Sequence, residues 1–174
     1  MHHQPHEQAL EQAFLKHIAL HQALIYKVCH TFEQTGEARR DLFQDILVQL
    51  WRAFPNYNGS CKWTTWAYRI ALNVAITQRR KSKMNITGLT DQLQTEIDRT
   101  RPAGTYDTTA DEQVEALHRA IAQLTVAEKA LILLYLDDVS YKEISEITGM
   151  TENNVGVKLN RIKSKLKTLL SYGK

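Results

Sequence analysis

The chain has 174 residues, of which 43% are hydrophobic and 24% charged, with a formal net charge of +3. That composition excludes a wholly disordered chain, and the absence of an apolar run near the roughly 20 residues of a membrane span excludes a spanning helix by pattern. Cys29 and Cys61 are the only two cysteines; they form no CxxC pair or disulfide framework, and the polar start MHHQPHEQAL reads as no signal peptide. The expected compartment is a reducing cytoplasm.

The predicted elements are all helical. Leu10, Phe14, Ile18, Ile25 and Val28 recur at near-helical spacing and predict a long first helix. Residues 31–40 are polar, include Gly36, and predict a turn. A second helix is expected over 41–54. Leu42, Ile46, Leu50 and Ala53 line one stripe and Phe43, Leu47, Trp51 and Phe54 the next, and Pro55 ends it. Residues 56–60 (NYNGS) form a turn-rich loop. A third helix is expected over 64–81, free of Gly and Pro and favoured by Ala67, Ala71 and Ala75.

Residues 82–110 change character. They are rich in Thr, Asp and Gln, contain Gly88, Pro102 and Gly104, and predict a flexible or loosely ordered linker in which Leu89, Leu93 and Ile97 could form one amphipathic turn or two. Beyond them, Val114, Leu117, Ile121 and Leu124 define a helix. Thr125 and Glu128 form a capping box for the next, which uses Leu131, Leu134 and Tyr135 and breaks at Asp137-Asp138. Ser140 and Glu143 cap a short helix with Ile144 and Ile147, and Gly149 suits its left-handed end. Thr151 caps the last helix, whose inner stripe is Val155, Leu159, Ile162, Leu166 and Leu170. The expected fold is all-α: helical domains at 1–81 and 111–174, a linker at 82–110, and a helix-turn-helix in the C-terminal domain.

Charge is unevenly spread. Residues 1–81 hold ten Lys/Arg against six Asp/Glu, residues 82–113 three against six, and residues 114–174 nine against seven. Two basic lobes flank an acidic middle, a distribution that attracts phosphate. On the last helix the outward positions near its start are Glu152, Asn153, Gly156, Asn160 and Arg161, with Asn154 and Lys158 on the shoulders. Asn suits adenine and Arg guanine in a major groove. A mid-helix glycine costs about 1 kcal/mol against alanine, so Gly156 there suggests close approach of the helix backbone to DNA. The second constellation is the third helix. Thr65, Arg69 and Asn73 are spaced i, i+4, i+8, Arg80 lies further on, and Trp63, Trp66 and Tyr57 gather at its start. Aromatic rings, cations and an amide together suit unstacked bases.

Three segments carry a family resemblance. DLFQDILVQLWRAF (41–54) resembles a DLxQExFLRLWRA pattern, WTTWAYRIALNVA (63–75) a TWLYRIAxNxA pattern, and LDDVSYKEISEITGMTENNVGVKLNRIKSKL (136–166) an LxGLSYEEIAxxxGxSxGTVxSRLxRAR pattern. The chain resembles bacterial RNA polymerase sigma factors of the small extracytoplasmic-function group over residues 10–81 and 111–170. The resemblance implies core RNA polymerase and promoter DNA as partners. Asp41, Gln44 and Asp45 would meet the clamp helices of the largest subunit. Tyr57, Asn58, Lys62, Trp63, Thr65, Trp66, Arg69, Asn73 and Arg80 would serve the minus-ten element, with Asn73 reading a flipped base. Tyr141, Lys142, Asn153, Asn154, Gly156, Lys158, Asn160, Arg161 and Lys165 would serve the minus-thirty-five element, and the same lobe would meet the flap of the second-largest subunit. An anti-sigma protein or other regulatory partner is expected, and no cofactor, metal or membrane insertion.

Departures limit what carries over. The family often has Arg at the place of Gly156 and Ser at that of Val157, and its region-two acid is usually Glu where this chain has Asp45. No region-three domain is present. The competing reading of the residues alone is a stand-alone helix-turn-helix regulator of duplex DNA, against which the base-stacking set of the third helix argues. For an enzyme the chain offers no paired carboxylates in an apolar setting, no nucleophile elbow and no phosphate loop, so no catalytic residue is assigned. His17 and His21, with His2, His3 or His6, form a weak metal candidate.

Overall fold

A computed structural model describes residues 4–86 and 110–171 of the chain. Seven α-helices and one 3₁₀ turn make up this structure, with no strand among the described residues. In order they are α1 (Gln4–Phe32), α2 (Gly36–Ala53), the 3₁₀ turn (Phe54–Asn56), α3 (Trp63–Ile86), α4 (Ala110–Ala122), α5 (Val126–Leu136), α6 (Tyr141–Thr148) and α7 (Glu152–Ser171). The Leu89, Leu93 and Ile97 expectation lies outside the described residues.

The N-terminal lobe is a three-helix packing of α1, α2 and α3. Phe14, Ile25, Val28 and Phe32 meet Leu42, Ile46 and Leu50, and Ala67, Ala71 and Ala75 are fully buried where α3 comes close. The expected turn over 31–40 is much shorter. Thr35 accepts a hydrogen bond from the Ala38 amide at 3.2 Å, so α2 begins at Gly36, five residues before Asp41. A threonine cap followed by Glu37 in the first turn satisfies orphan amides and complements the helix dipole, which outweighs the glycine.

The C-terminal lobe follows its caps. Thr125 with Glu128 and Ser140 with Glu143 both form reciprocal capping boxes. Gly149 closes α6 at φ 73°, and Thr151 accepts from the Asn154 amide at 3.3 Å to open α7. Val155, Leu159, Ile162 and Leu166 are buried as the stripe requires; Leu170 is exposed, lining an open groove with Ile132, Tyr135 and Leu136 of α5. Val114 is also exposed, at the opening turns of α4.

One feature exceeds the sequence pattern. Every residue from Lys129 to Leu134 of α5 is buried. A helix apolar around its whole circumference is covered on all sides. Here α7 covers one side of α5, and α1 and α3 cover another. The two lobes therefore share one continuous buried cluster.

Candidate nucleic-acid interface

Three surfaces hold the candidate residues. On α2, Asp41, Gln44 and Asp45 are all exposed, one turn apart on the side opposite buried Leu42 and Ile46. The Asp45 carboxylate accepts a hydrogen bond from the Gln78 amide of α3, which fixes its direction. Asp41 remains open to solvent.

The second surface is built around the start of α3. The Tyr57 hydroxyl donates to the Cys61 carbonyl at 2.9 Å, and the Asn58 side chain accepts from the Ser60 amide at 3.0 Å. These two bonds and Gly59 at φ 72° give the loop a defined shape. The Tyr57 and Trp66 rings lie 5.0 Å apart and form a half-buried shelf. Asn73 and Arg80 project from α3 into solvent, and Arg69 is exposed with part of its guanidinium turned to the C-terminal lobe.

Two expected members of this set are not on the surface. Trp63 is buried, its ring parallel to that of His17 at 5.2 Å and near-parallel to that of His21 at 5.1 Å. The i, i+4 spacing of the histidines on α1 brings both rings to the same indole. Desolvation, then the neighbouring His21 and Lys16, lowers the pKa of His17 from its ordinary value and favours the neutral ring. Among the described residues no group of three or more His, Cys, Asp or Glu is placed to hold a metal. Thr65 is buried as well, at 3% exposure, beside a cleft of about 330 Å³ between the lobes. It shares a helical stripe with Arg69 and Asn73, but the C-terminal lobe covers that end of the stripe.

The third surface is the helix-turn-helix. Asn153, Asn154, Lys158, Asn160 and Arg161 are exposed on α7, and Lys142 on α6. Lys165 is held at 2.9 Å by Glu128, the capping residue of α5; burial works to raise that carboxyl's pKa, but the Thr125 amide and then Lys165 outweigh it and leave it lowered. Gly156 does not face open space. The Tyr141 ring lies over it, 3.4 Å from where a Cβ would stand. Packing against a neighbouring helix thus accounts for part of what close approach to DNA was expected to explain.

The lobes also bond to each other through candidate residues. Lys62 pairs with Glu143 at 2.7 Å, and Arg69 donates to the Glu146 carbonyl at 2.8 Å. Asp137, at the end of α5, receives both Lys27 of α1 and the Tyr68 hydroxyl of α3. Sequence reasoning treated Asp137-Asp138 only as a helix break. Its one signal was a pair of acids where the family pattern carries a glycine at the second position. Asp138 indeed takes the left-handed φ of 54°.

Comparison with known proteins decides the family. Residues 17–84 match the family model described as Sigma-70 region 2, and residues 114–166 match Sigma-70, region 4. The chain belongs to the extracytoplasmic-function sigma factors. It is similar to the ECF RNA polymerase sigma factor SigW of Bacillus subtilis (strain 168), with 24% identity over 170 residues, covering 92% of this chain and 90% of that one. The RNA polymerase sigma factor YlaC of the same organism is 28% identical over 142 residues, covering 75% and 76%. Two solved structures share the fold. CnrH in complex with the cytosolic domain of CnrY gives a TM-score of 0.69 at 19% identity, covering 97% of this chain and 96% of that one. The sigma factor RpoE in complex with the anti-sigma factor NepR from Bartonella quintana gives 0.72 at 17%, covering 94% and 99%.

As a sigma factor, the chain binds core RNA polymerase and directs promoter-specific transcription initiation. No helix among the described residues is long and apolar enough to cross a membrane.

Proposed function

We propose that residues 1–81 act as the clamp-binding and minus-ten lobe of this sigma factor, and residues 111–174 as the minus-thirty-five lobe. Asp41, Gln44 and Asp45 meet the clamp helices. Asn73 reads one flipped minus-ten base, the Tyr57–Lys62 loop cradles it, Trp66 and Tyr57 offer stacking faces, and Arg69 and Arg80 hold phosphate. The carrying observation is the exposure of Arg69, Asn73 and Arg80 along α3 beside the Tyr57–Trp66 shelf. Trp63 supports this shelf from beneath rather than stacking on a base.

Opening a duplex costs a few kcal/mol per unstacked step, and stacking one captured base returns about 1–3 kcal/mol. Two modest contacts on one chain gain by effective concentration once polymerase sets their separation. The exposed start of α7 supplies the second contact, through Asn153, Asn154, Asn160 and Arg161, with Lys142 and Lys158 on phosphate. The chain makes and breaks no covalent bond itself and works in the cytoplasm. Since two structural relatives are held by named partner proteins, one of them called an anti-sigma factor, a protein of that kind is the expected inhibitor here.

Run-off transcription with bacterial core enzyme and a randomised promoter library tests the reading. Enrichment of templates sharing two elements at fixed spacing supports it. No initiation on any template, with tight selective binding of the free chain to intact duplex, overturns it in favour of a stand-alone regulator.

A further inference from the structure

The geometry points to a built-in latch: Asp137, gripped by Tyr68 and Lys27, docks the two lobes in a closed state that buries Thr65 and sets Lys62 and Arg69 on contacts that compete with DNA. The inference rests on the proposed minus-ten role of α3.

Four groups of the N-terminal lobe meet the C-terminal lobe by polar contact. Lys27 and the Tyr68 hydroxyl converge on the two carboxylate oxygens of Asp137. Lys62 meets Glu143, and Arg69 meets the Glu146 carbonyl. Tyr68 is 2% exposed, so its hydroxyl lies in a low-dielectric setting where a bond to a carboxylate is strong. Burial and then Asp137 push its pKa well above the ordinary phenol range, so it stays a donor. The exposed pairs add little each; the Tyr68–Asp137 bond is the anchor.

The same contacts occupy the DNA-facing set. Arg69 spends part of its guanidinium on the Glu146 carbonyl and Lys62 part of its ammonium on Glu143, so a phosphate at either competes with a contact from the C-terminal lobe. The α6 helix packs directly on α3, so a base stacked near Thr65 would collide with it.

The closed state also contains its own opposition. Lys129 of α5 is 4% exposed and has no ion pair among the described residues. Partial desolvation lowers the pKa of its ammonium, Arg79 of α3 lowers it further, and Glu33 of α1 opposes them. Undocking α5 relieves that partial desolvation. A latch set against such a group is reversible, which a permanent domain interface does not need.

The experiment uses the full chain. Tyr68→Phe is isosteric and leaves the N-terminal core filled, and Asp137→Ala leaves the α5 cap, which is made by the Asp137 backbone amide to the Leu133 carbonyl. Small-angle scattering reads closure, and a labelled pool of short random single-stranded DNA reads access to α3 without polymerase. Each variant is expected to expand the molecule and to raise single-strand affinity roughly tenfold, the worth of one charge-assisted hydrogen bond. Scattering profiles identical to the parent chain overturn the latch. Expansion with unchanged single-strand affinity overturns the occlusion. Run-off transcription with saturating core enzyme is expected to persist in both variants; its absence in the parent chain would instead sink the sigma reading.

Discussion

Gly156 lies under the ring of Tyr141, with room for a methyl group at 3.4 Å from Cε2. Two explanations of this glycine therefore make opposite forecasts. Gly156→Ala should raise thermal stability by about 1 kcal/mol from helix propensity, the ring shifting by tenths of an ångström. If only packing matters, affinity for a minus-thirty-five duplex in the holoenzyme is unchanged. If DNA comes close to the α7 backbone, affinity falls while the melting temperature rises.

Asn73 is the residue assigned to base reading. Asn73→Ala should lose about 1–3 kcal/mol of discrimination at a single minus-ten position. Binding to core polymerase should not change. A uniform loss across all bases, measured by competition among single-position promoter variants, would refute the assignment.

Charge reversal separates Asp41 from Asp45. Asp41 is free in solvent, whereas Asp45 is tied to Gln78. Asp41→Lys should abolish co-purification with core polymerase without altering the melting temperature, because only a polar interface is reversed. Asp45→Lys should weaken both, since it also unties α2 from α3. Retained association in Asp41→Lys would move the clamp contact elsewhere.

Acid should loosen the closed state through Glu143. Its carboxyl is held at about 2, against an ordinary 4.5, first by Lys62 and then by Ser140. A folded value below the unfolded one means the contribution is whole above about 4.5 and fades as pH falls toward 2. Part of the loss is between the lobes and part is the α6 cap. Glu143→Gln should flatten the fall of melting temperature across that acid window. An unaltered slope would assign the acid sensitivity to other carboxylates.

Much of the fold was legible because three of the four helices of the C-terminal lobe announce their own caps. Thr125, Ser140, Gly149 and Thr151 act where the sequence places them. The start of α2 was misjudged because Gly36 was weighed as a breaker and the Thr35 cap beside it was passed over. Within the candidate site, the exposed places of Arg69, Asn73 and Asn160 follow from helical spacing alone. The burial of Thr65 and Trp63 does not. It depends on α6 and on two histidines brought in from α1, and spacing within one helix carries no information about what another helix covers. Long-range pairs such as Tyr68–Asp137 are illegible for the same reason.

Glu143 presents one oxygen to Lys62 and the other to Ser140, so the anchor for α6 survives when the lobes part. Docking strength and helix integrity are therefore separately adjustable. Substitutions at Lys62 or Lys27 can retune how readily the molecule opens without unravelling either half, which gives descendants of this chain a dial for their activation threshold that mutation can turn in small steps.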